Sequence, residues 1–164
     1  MNKYKLNSNW CLWYHSIRDN NWNQSSYTNL YTINNIYDIK AMNDTIHKIH
    51  LQNGMFFLMR ENIFPTWEDP DNRDGCCVSF KISGSGNILI EQWKFMVDRI
   101  LTEDILIDKS KYDNLNGISI SPKREFNILK IWLRNYDENY TDYVKEYKPF
   151  FIKENALIKK HVLT

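Results

Sequence analysis

The run Gly117-Ile-Ser-Ile-Ser-Pro-Lys-Arg-Glu-Phe-Asn-Ile-Leu-Lys-Ile-Trp-Leu133 reads as a β-hairpin. Its arms, 117–121 and 126–133, are built on isoleucine and aromatic side chains. The turn between them holds Pro122, Lys123, Arg124 and Glu125, a cluster that suits a chain reversal. Upstream, residues 88–101 carry Ile90, Trp93, Met96, Val97, Ile100 and Leu101, the apolar stripe of an amphipathic helix. A strand at 76–82 precedes it, joined through Ser83-Gly-Ser-Gly-Asn87, and a shorter strand occupies 55–60. Near the start, Trp10-Cys-Leu-Trp-Tyr-His-Ser-Ile17 has strand composition. Alternation puts Trp10, Leu12 and Tyr14 on one face and Cys11, Trp13 and His15 on the other. Thr32 is the expected N-cap of a helix bearing Ile33, Ile36, Tyr37, Met42, Ile46 and Ile49, ended by Gly54. Residues 139–147 suit a third helix, stopped by Pro149, and the tail 156–164 suits an added edge strand. This order predicts an α+β fold, an antiparallel sheet covered on one side by helices, as a single domain spanning residues 1–164.

Composition narrows the function. The 164 residues carry 21 basic and 20 acidic side chains, a formal charge of +1. That excludes gripping nucleic acid by bulk charge and argues against a general single-strand RNA binder, which needs a basic groove. No apolar run approaches the length that spans a bilayer, and the start Met1-Asn-Lys-Tyr-Lys-Leu-Asn-Ser8 is too polar for a signal peptide. Three cysteines, two of them adjacent at Cys76 and Cys77, do not make a disulfide framework. A soluble, cytoplasmic protein of a reducing compartment is expected. The chain is rich in Ile, Asn, Lys and Tyr and poor in Ala, as an A+T-rich coding sequence would be. Its six Trp run against that bias, and large flat side chains either fill cores or stack on flat ligands.

Two Trp residues sit in polar loops. In Ile63-Phe-Pro-Thr-Trp-Glu-Asp-Pro-Asp-Asn72, an indole is followed directly by two acids. A ring face beside a carboxylate suits a planar cationic base, the ring by stacking and cation–π attraction, the carboxylate by accepting two N–H donors. The plainer alternative is a core Trp67 with Glu68 and Asp69 as solvated loop acids. Trp22, in Asn20-Asn-Trp-Asn-Gln24, has no apolar sequence neighbours. It either caps the end of the sheet or supplies the second slice of a sandwich around one base.

Taken together these pieces resemble the mRNA cap-binding translation initiation factor 4E family. The resemblance runs over about residues 6–147. It rests on Trp10-Cys-Leu-Trp13, Trp22, Thr32-Ile-Asn-Asn-Ile-Tyr37, Ile63-Phe-Pro-Thr-Trp-Glu-Asp69 with Asn72 and Gly75, Trp93, and Ile128-Leu-Lys-Ile-Trp132, in family order. It implies a curved antiparallel sheet with about three helices on its convex back and a cap slot on the concave face. It further implies that Trp22 and Trp67 sandwich 7-methylguanine and that Glu68 accepts from N1–H and the amino group. The Trp67 N–H then donates to O6, and Trp132 lies against the methyl group. Trp10, Trp13 and Trp93 are left as packing residues.

For the phosphates, Lys123 and Arg124 in the hairpin turn are the candidate ligands, with Lys130 as a third; a charged turn without that role is the alternative. Cys77 stands where the resemblance implies a further arginine. On the back, a scaffold or repressor peptide is the implied partner. That surface here reads Ile33, Tyr37, Lys94 and Asp98, with charges at two positions the resemblance makes aliphatic, and Tyr4-Lys5 at a third site. Either the partner has changed or the usual scaffold is not recruited, which leaves cap sequestration or regulation beside translation initiation. An enzyme using Glu61, Glu68, Asp69 and Asp71 around Mg²⁺ lacks any accompanying nucleophile or phosphate loop. His47 and His50, at i and i+3, lack further metal ligands. The expectation is a monomer that makes and breaks no covalent bond, with capped mRNA as ligand and no cofactor, metal, membrane or DNA.

Overall fold

The computed structural model describes residues 3–163. Met1, Asn2 and Thr164, which the N-terminal and tail expectations include, lie outside the described residues. Seven strands are β1 (Lys5–Ser16), β2 (Tyr27–Asn35), β3 (Gly54–Arg60), β4 (Cys76–Ile82), β5 (Leu115–Pro122), β6 (Asn127–Leu133) and β7 (Leu157–Lys160). They form one curved antiparallel sheet in the order β2-β1-β3-β5-β6-β4-β7. Helices α1 (Ile36–Thr45), α2 (Lys48–Asn53) and α3 (Ile88–Leu101) cover one face. The α+β expectation is met.

Strand periodicity divides the apolar residues between two clusters. Trp10 and Leu12 of β1, Phe56 and Leu58 of β3, Ile118 and Ile120 of β5, and Leu129 and Ile131 of β6 point under the helices. There they meet Ile39, Met42, Leu51, Trp93 and Met96. Their alternates, Trp13, Phe57, Met59, Cys77 and Trp132, point to the open face and make a second, smaller cluster with Tyr27, Ile63, Phe64 and Trp67. One sheet therefore has a stabilising face and a face left available for a ligand.

The hairpin, the 76–82 strand and the 88–101 helix stand where the sequence put them, and β7 is the expected edge strand, paired with β4. Three expectations are corrected. Thr32 does not cap a helix; it lies inside β2, paired with Cys11. The helix starts three residues later than that cap implies, because Asn35 is the better cap. Its side chain accepts from the Tyr37 and Asp38 N–H groups at 2.9 and 3.1 Å, while Asp38 Oδ2 accepts from the Asn35 N–H at 3.2 Å. That reciprocal box satisfies donors which Thr32 could not reach. The expected third helix at 139–147 is also absent; only a 3-10 turn, Tyr140–Asp142, forms. Tyr140, Tyr143, Val144 and Tyr147 do follow helical spacing. The backbone instead pairs with 105–107, the Ile107 N–H donating to Tyr143 O at 2.8 Å and the Lys145 N–H to Ile105 O at 2.7 Å. Its apolar side chains reach the core from that extended path. Nor does one helix run on to Gly54: the backbone is extended at Ile46 and His47, which separates α1 from α2, and of the two α2 positions Leu51 is buried and Ile49 exposed.

Candidate functional site: an aromatic slot on the open face

The Asn-rich loop after β1 is a chain of Asx turns. Asp19 Oδ1 accepts from the Asn21 N–H at 2.8 Å and Asn21 Oδ1 from the Asn23 N–H at 2.9 Å, so short amide and acid side chains replace backbone partners. This geometry holds Trp22 out at 53% exposure. One of its faces lies flat on His15, with centroids 4.1 Å apart and planes 6° apart.

The loop between β3 and β4 is tied down by two residues. Asp69 accepts from the Phe64 N–H and the Asp71 N–H, both at 2.9 Å. Asn72, fully buried, donates to the Phe64 and Thr66 carbonyls at 3.0 and 2.8 Å and accepts from Asn116 at 2.8 Å. Gly75 closes the loop where any β-carbon would sit 1.9 Å from the Leu133 carbonyl oxygen. With Asp69 and Asn72 used in this way, Glu68 is left exposed at the rim and Trp67 half-buried. Trp67 stacks on His161 at 5.0 Å and 19°, with the Lys159 ammonium 5.1 Å from its ring centre.

Trp22, Trp67, Glu68 and Trp132 line one cavity of about 860 Å³, together with Tyr27, Phe57, Ser119 and Lys130. That volume suits a small ligand. Trp132 is its nearly buried floor, with Nε1 donating to Ser119 Oγ at 2.9 Å. Burial, assisted by the Glu68 carboxylate, pushes the Tyr27 phenol up to about 12. Tyr27 is therefore neutral at physiological pH. The lining thus combines two loop indoles, a tryptophan floor and an exposed carboxylate.

The other predicted residues fall elsewhere. Lys130 lines the slot, whereas Lys123 and Arg124 line a separate cavity of about 250 Å³ with Lys48, Gln52 and the Gly84–Gly86 connection. Cys77 is buried, 3.1 Å from His161 Nε2. On the helical side, Ile33 is fully buried in the main core and presents no surface to a partner. Tyr37 is exposed and meets Tyr4 edge-on at 5.3 Å. Asp98 Oδ1 accepts from Asn43 at 3.0 Å, and the Lys94 charge acts on Asp44. Sequence reasoning missed Tyr27, Lys159 and His161 as neighbours of the slot. It placed His15 on the Trp13 face, a signal that pointed here; nothing local marks His161. Among the described residues no group of three His, Cys, Asp or Glu side chains is arranged to hold a metal ion, and no helix is long and apolar enough to cross a membrane.

Comparison with known proteins gives this geometry a family. A translation initiation factor 4E homolog of Acanthamoeba polyphaga mimivirus is 34% identical over 92 residues, covering 56% of this chain and 33% of that protein. The Saccharomyces cerevisiae factor is 26% identical over 141 residues, covering 83% and 64%. The chain thus spans a third of the viral relative and just under two thirds of the yeast one. Two solved structures share the fold. Ascaris suum eIF4E-3 with m7G cap has a TM-score of 0.72 at 16% identity, covering 83% of this chain and 77% of that one. A schistosome eIF4E with m7GpppG and 4E-BP has a TM-score of 0.74 at 17% identity, covering 85% and 76%. The model of the family described as eukaryotic initiation factor 4E matches residues 5–155, from the first strand to the turn before the last. The chain belongs to the eukaryotic initiation factor 4E family.

Proposed function

We propose that this protein binds the 7-methylguanosine cap of mRNA and acts in translation initiation, in the cytoplasm where messages are translated. The observation that carries the reading is the convergence of two loop Trp residues and one exposed carboxylate on a single cavity of ligand size. Trp22 and Trp67 stack on the two faces of the base. Methylation at N7 makes that base cationic, and each ring gains roughly 0.5–2 kcal/mol of cation–π attraction that neutral guanine lacks. Glu68 accepts from N1–H and the exocyclic amine, the Trp67 N–H donates to O6, and Trp132 lies against the methyl group. Lys130 is the cation best placed for the phosphates. Lys123 and Arg124, in the hairpin turn and outside the slot, serve a longer phosphate chain. No bond is made or broken.

The test is fluorescence titration with 7-methyl-GTP against GTP. Strong quenching by the methylated nucleotide alone is expected; equal or absent quenching by the two would refute the sandwich. The helical side favours a second reading of the role. Asn43 occupies Asp98, Tyr4 packs on Tyr37, and a charge stands at Lys94, so an apolar scaffold helix finds polar contacts there. A cap-binding protein that sequesters or regulates, without the usual scaffold, has this property. Titration with a scaffold-type amphipathic peptide separates the two: tight binding supports initiation, and no binding supports sequestration.

A further inference from the structure

The two slot Trp residues share a feature that base binding does not require. Each has a histidine flat against it, and neither histidine lines the cavity. We infer that His15 and His161 are positioning residues, each the fixed outer layer that sets the plane of one stacking tryptophan before ligand arrives. The inference rests on the base-slot reading above.

Both imidazoles are locked. His15 is fully buried; its Nδ1 lies 2.8 Å from the Ser16 carbonyl oxygen, and its Nε2 lies 2.8 Å from the Asn21 carbonyl oxygen and 3.1 Å from Ser26 Oγ. Tyr27 holds it edge-on at 4.8 Å. Asn21 also precedes Trp22, so the imidazole is held beside the indole it backs, while the Asx turns hold the loop itself. His161 is held as firmly. Its Nδ1–H donates to Asn72 O at 2.6 Å, and its Nε2 accepts from the Cys77 thiol at 3.1 Å. Burial pushes that thiol up to about 12, which keeps its hydrogen on. His161 touches Trp132 as well, at 5.4 Å and 54°, so one ring steadies a wall and the floor. It lies beyond residues 5–155, delivered by the edge strand β7 and by its own N–H donating to Gly75 O at 3.0 Å.

A loop Trp at 53% exposure, like Trp22, would otherwise lose rotamer freedom on binding. A stacked imidazole removes that loss beforehand, which is pre-organisation. The bound base becomes the third ring of a five-ring column, His15–Trp22–base–Trp67–His161.

The experiment compares His15→Leu with His15→Phe, and His161→Leu with His161→Phe, in the full chain. Leucine fills space without a flat face, while phenylalanine restores the face without the hydrogen bonds. Each Leu variant should bind 7-methyl-GTP about three- to tenfold more weakly, the range set by one aromatic pair; each Phe variant should stay within about twofold. In the unliganded protein, collisional quenching of Trp emission by acrylamide should rise in the Leu variants and not in the Phe variants. Equal losses in Leu and Phe variants, in step with melting temperature, would overturn the inference, as would unchanged affinity in the Leu variants. If the parent chain does not bind 7-methyl-GTP, the base-slot reading fails. The acrylamide measurement, which needs no ligand, then still decides whether the histidines order the rings. The two pairs are independent, so a misfolded variant of one histidine leaves the other as the test.

Discussion

Trp93 and Trp22 are the same side chain on opposite faces of the protein. Trp93 has no exposure and packs in the main core, and its indole N–H finds no partner among the described residues. Trp22 stands 53% exposed in a polar loop and leans on one imidazole. The core Trp has already returned its burial energy to the fold. The loop Trp has kept one face in water, so its burial is still available to a ligand. The difference teaches that an aromatic percentage carries no functional meaning until its residues are sorted by which side of the sheet they serve.

The comparison breaks most sharply at the core. Trp93→Ala should lower unfolding free energy by about 3–5 kcal/mol, read by denaturant melts, with the cap-analogue affinity of the remaining folded protein little changed. A large affinity loss without a stability loss would reverse the assignment of the two faces. Next comes the slot edge. On the proposed base-slot reading, Glu68→Ala removes the acceptor of two ligand hydrogen bonds worth roughly 1.5–3 kcal/mol each, so calorimetry should find most 7-methyl-GTP binding gone. Its melting point should hold, because Glu68 is exposed. Trp22→Ala should cost about 1–3 kcal/mol of binding, one stacked face, and within about 0.5 kcal/mol of stability.

A smaller effect separates the cations. Lys130→Ala should weaken 7-methyl-GTP more than 7-methylguanosine, and more than Lys123→Ala or Arg124→Ala does, since only Lys130 shares the cavity with the rings. The smallest effect is on pH. Burial holds the His161 imidazole below its ordinary 6.5, with the Lys130 charge acting the same way and the Asn72 carbonyl and Glu68 opposing it. The unfolded chain therefore binds this proton more readily. Stability from this residue is full above about pH 6.5 and declines as pH falls below it. His161→Phe should flatten that decline in melting temperature; an unchanged profile would mean that another group titrates there.

Legibility followed how locally each element is held together. Helix α3 was readable to its ends because its stripe and its packing agree, and the β5–β6 hairpin because proline and charge mark its turn. Strand β2 was misread because Ile33, Ile36 and Tyr37 mimic a helix. The pairing partner that makes 27–35 a strand is β1, reached across the loop. Residues 139–147 were misread for the same reason, their partner lying at 105–107. At the site, Trp22, Trp67 and Glu68 stood out because they are costly residues in polar surroundings. The phosphate candidates were less legible, since a turn's sequence does not say which cavity its side chains enter.

What the sequence by itself determined is whatever depends on near neighbours: strand alternation, the α3 stripe, and the identity of two loop indoles with a carboxylate. The tertiary structure alone decided what meets across the chain. It set His161 behind Trp67, Cys77 against His161, and Lys130 rather than Lys123 in the slot. The physical reason is that these contacts join residues 77 to 161 and 67 to 161 through sheet order. Strand pairing is a property of the whole sheet and leaves no mark in the local pattern of any one strand.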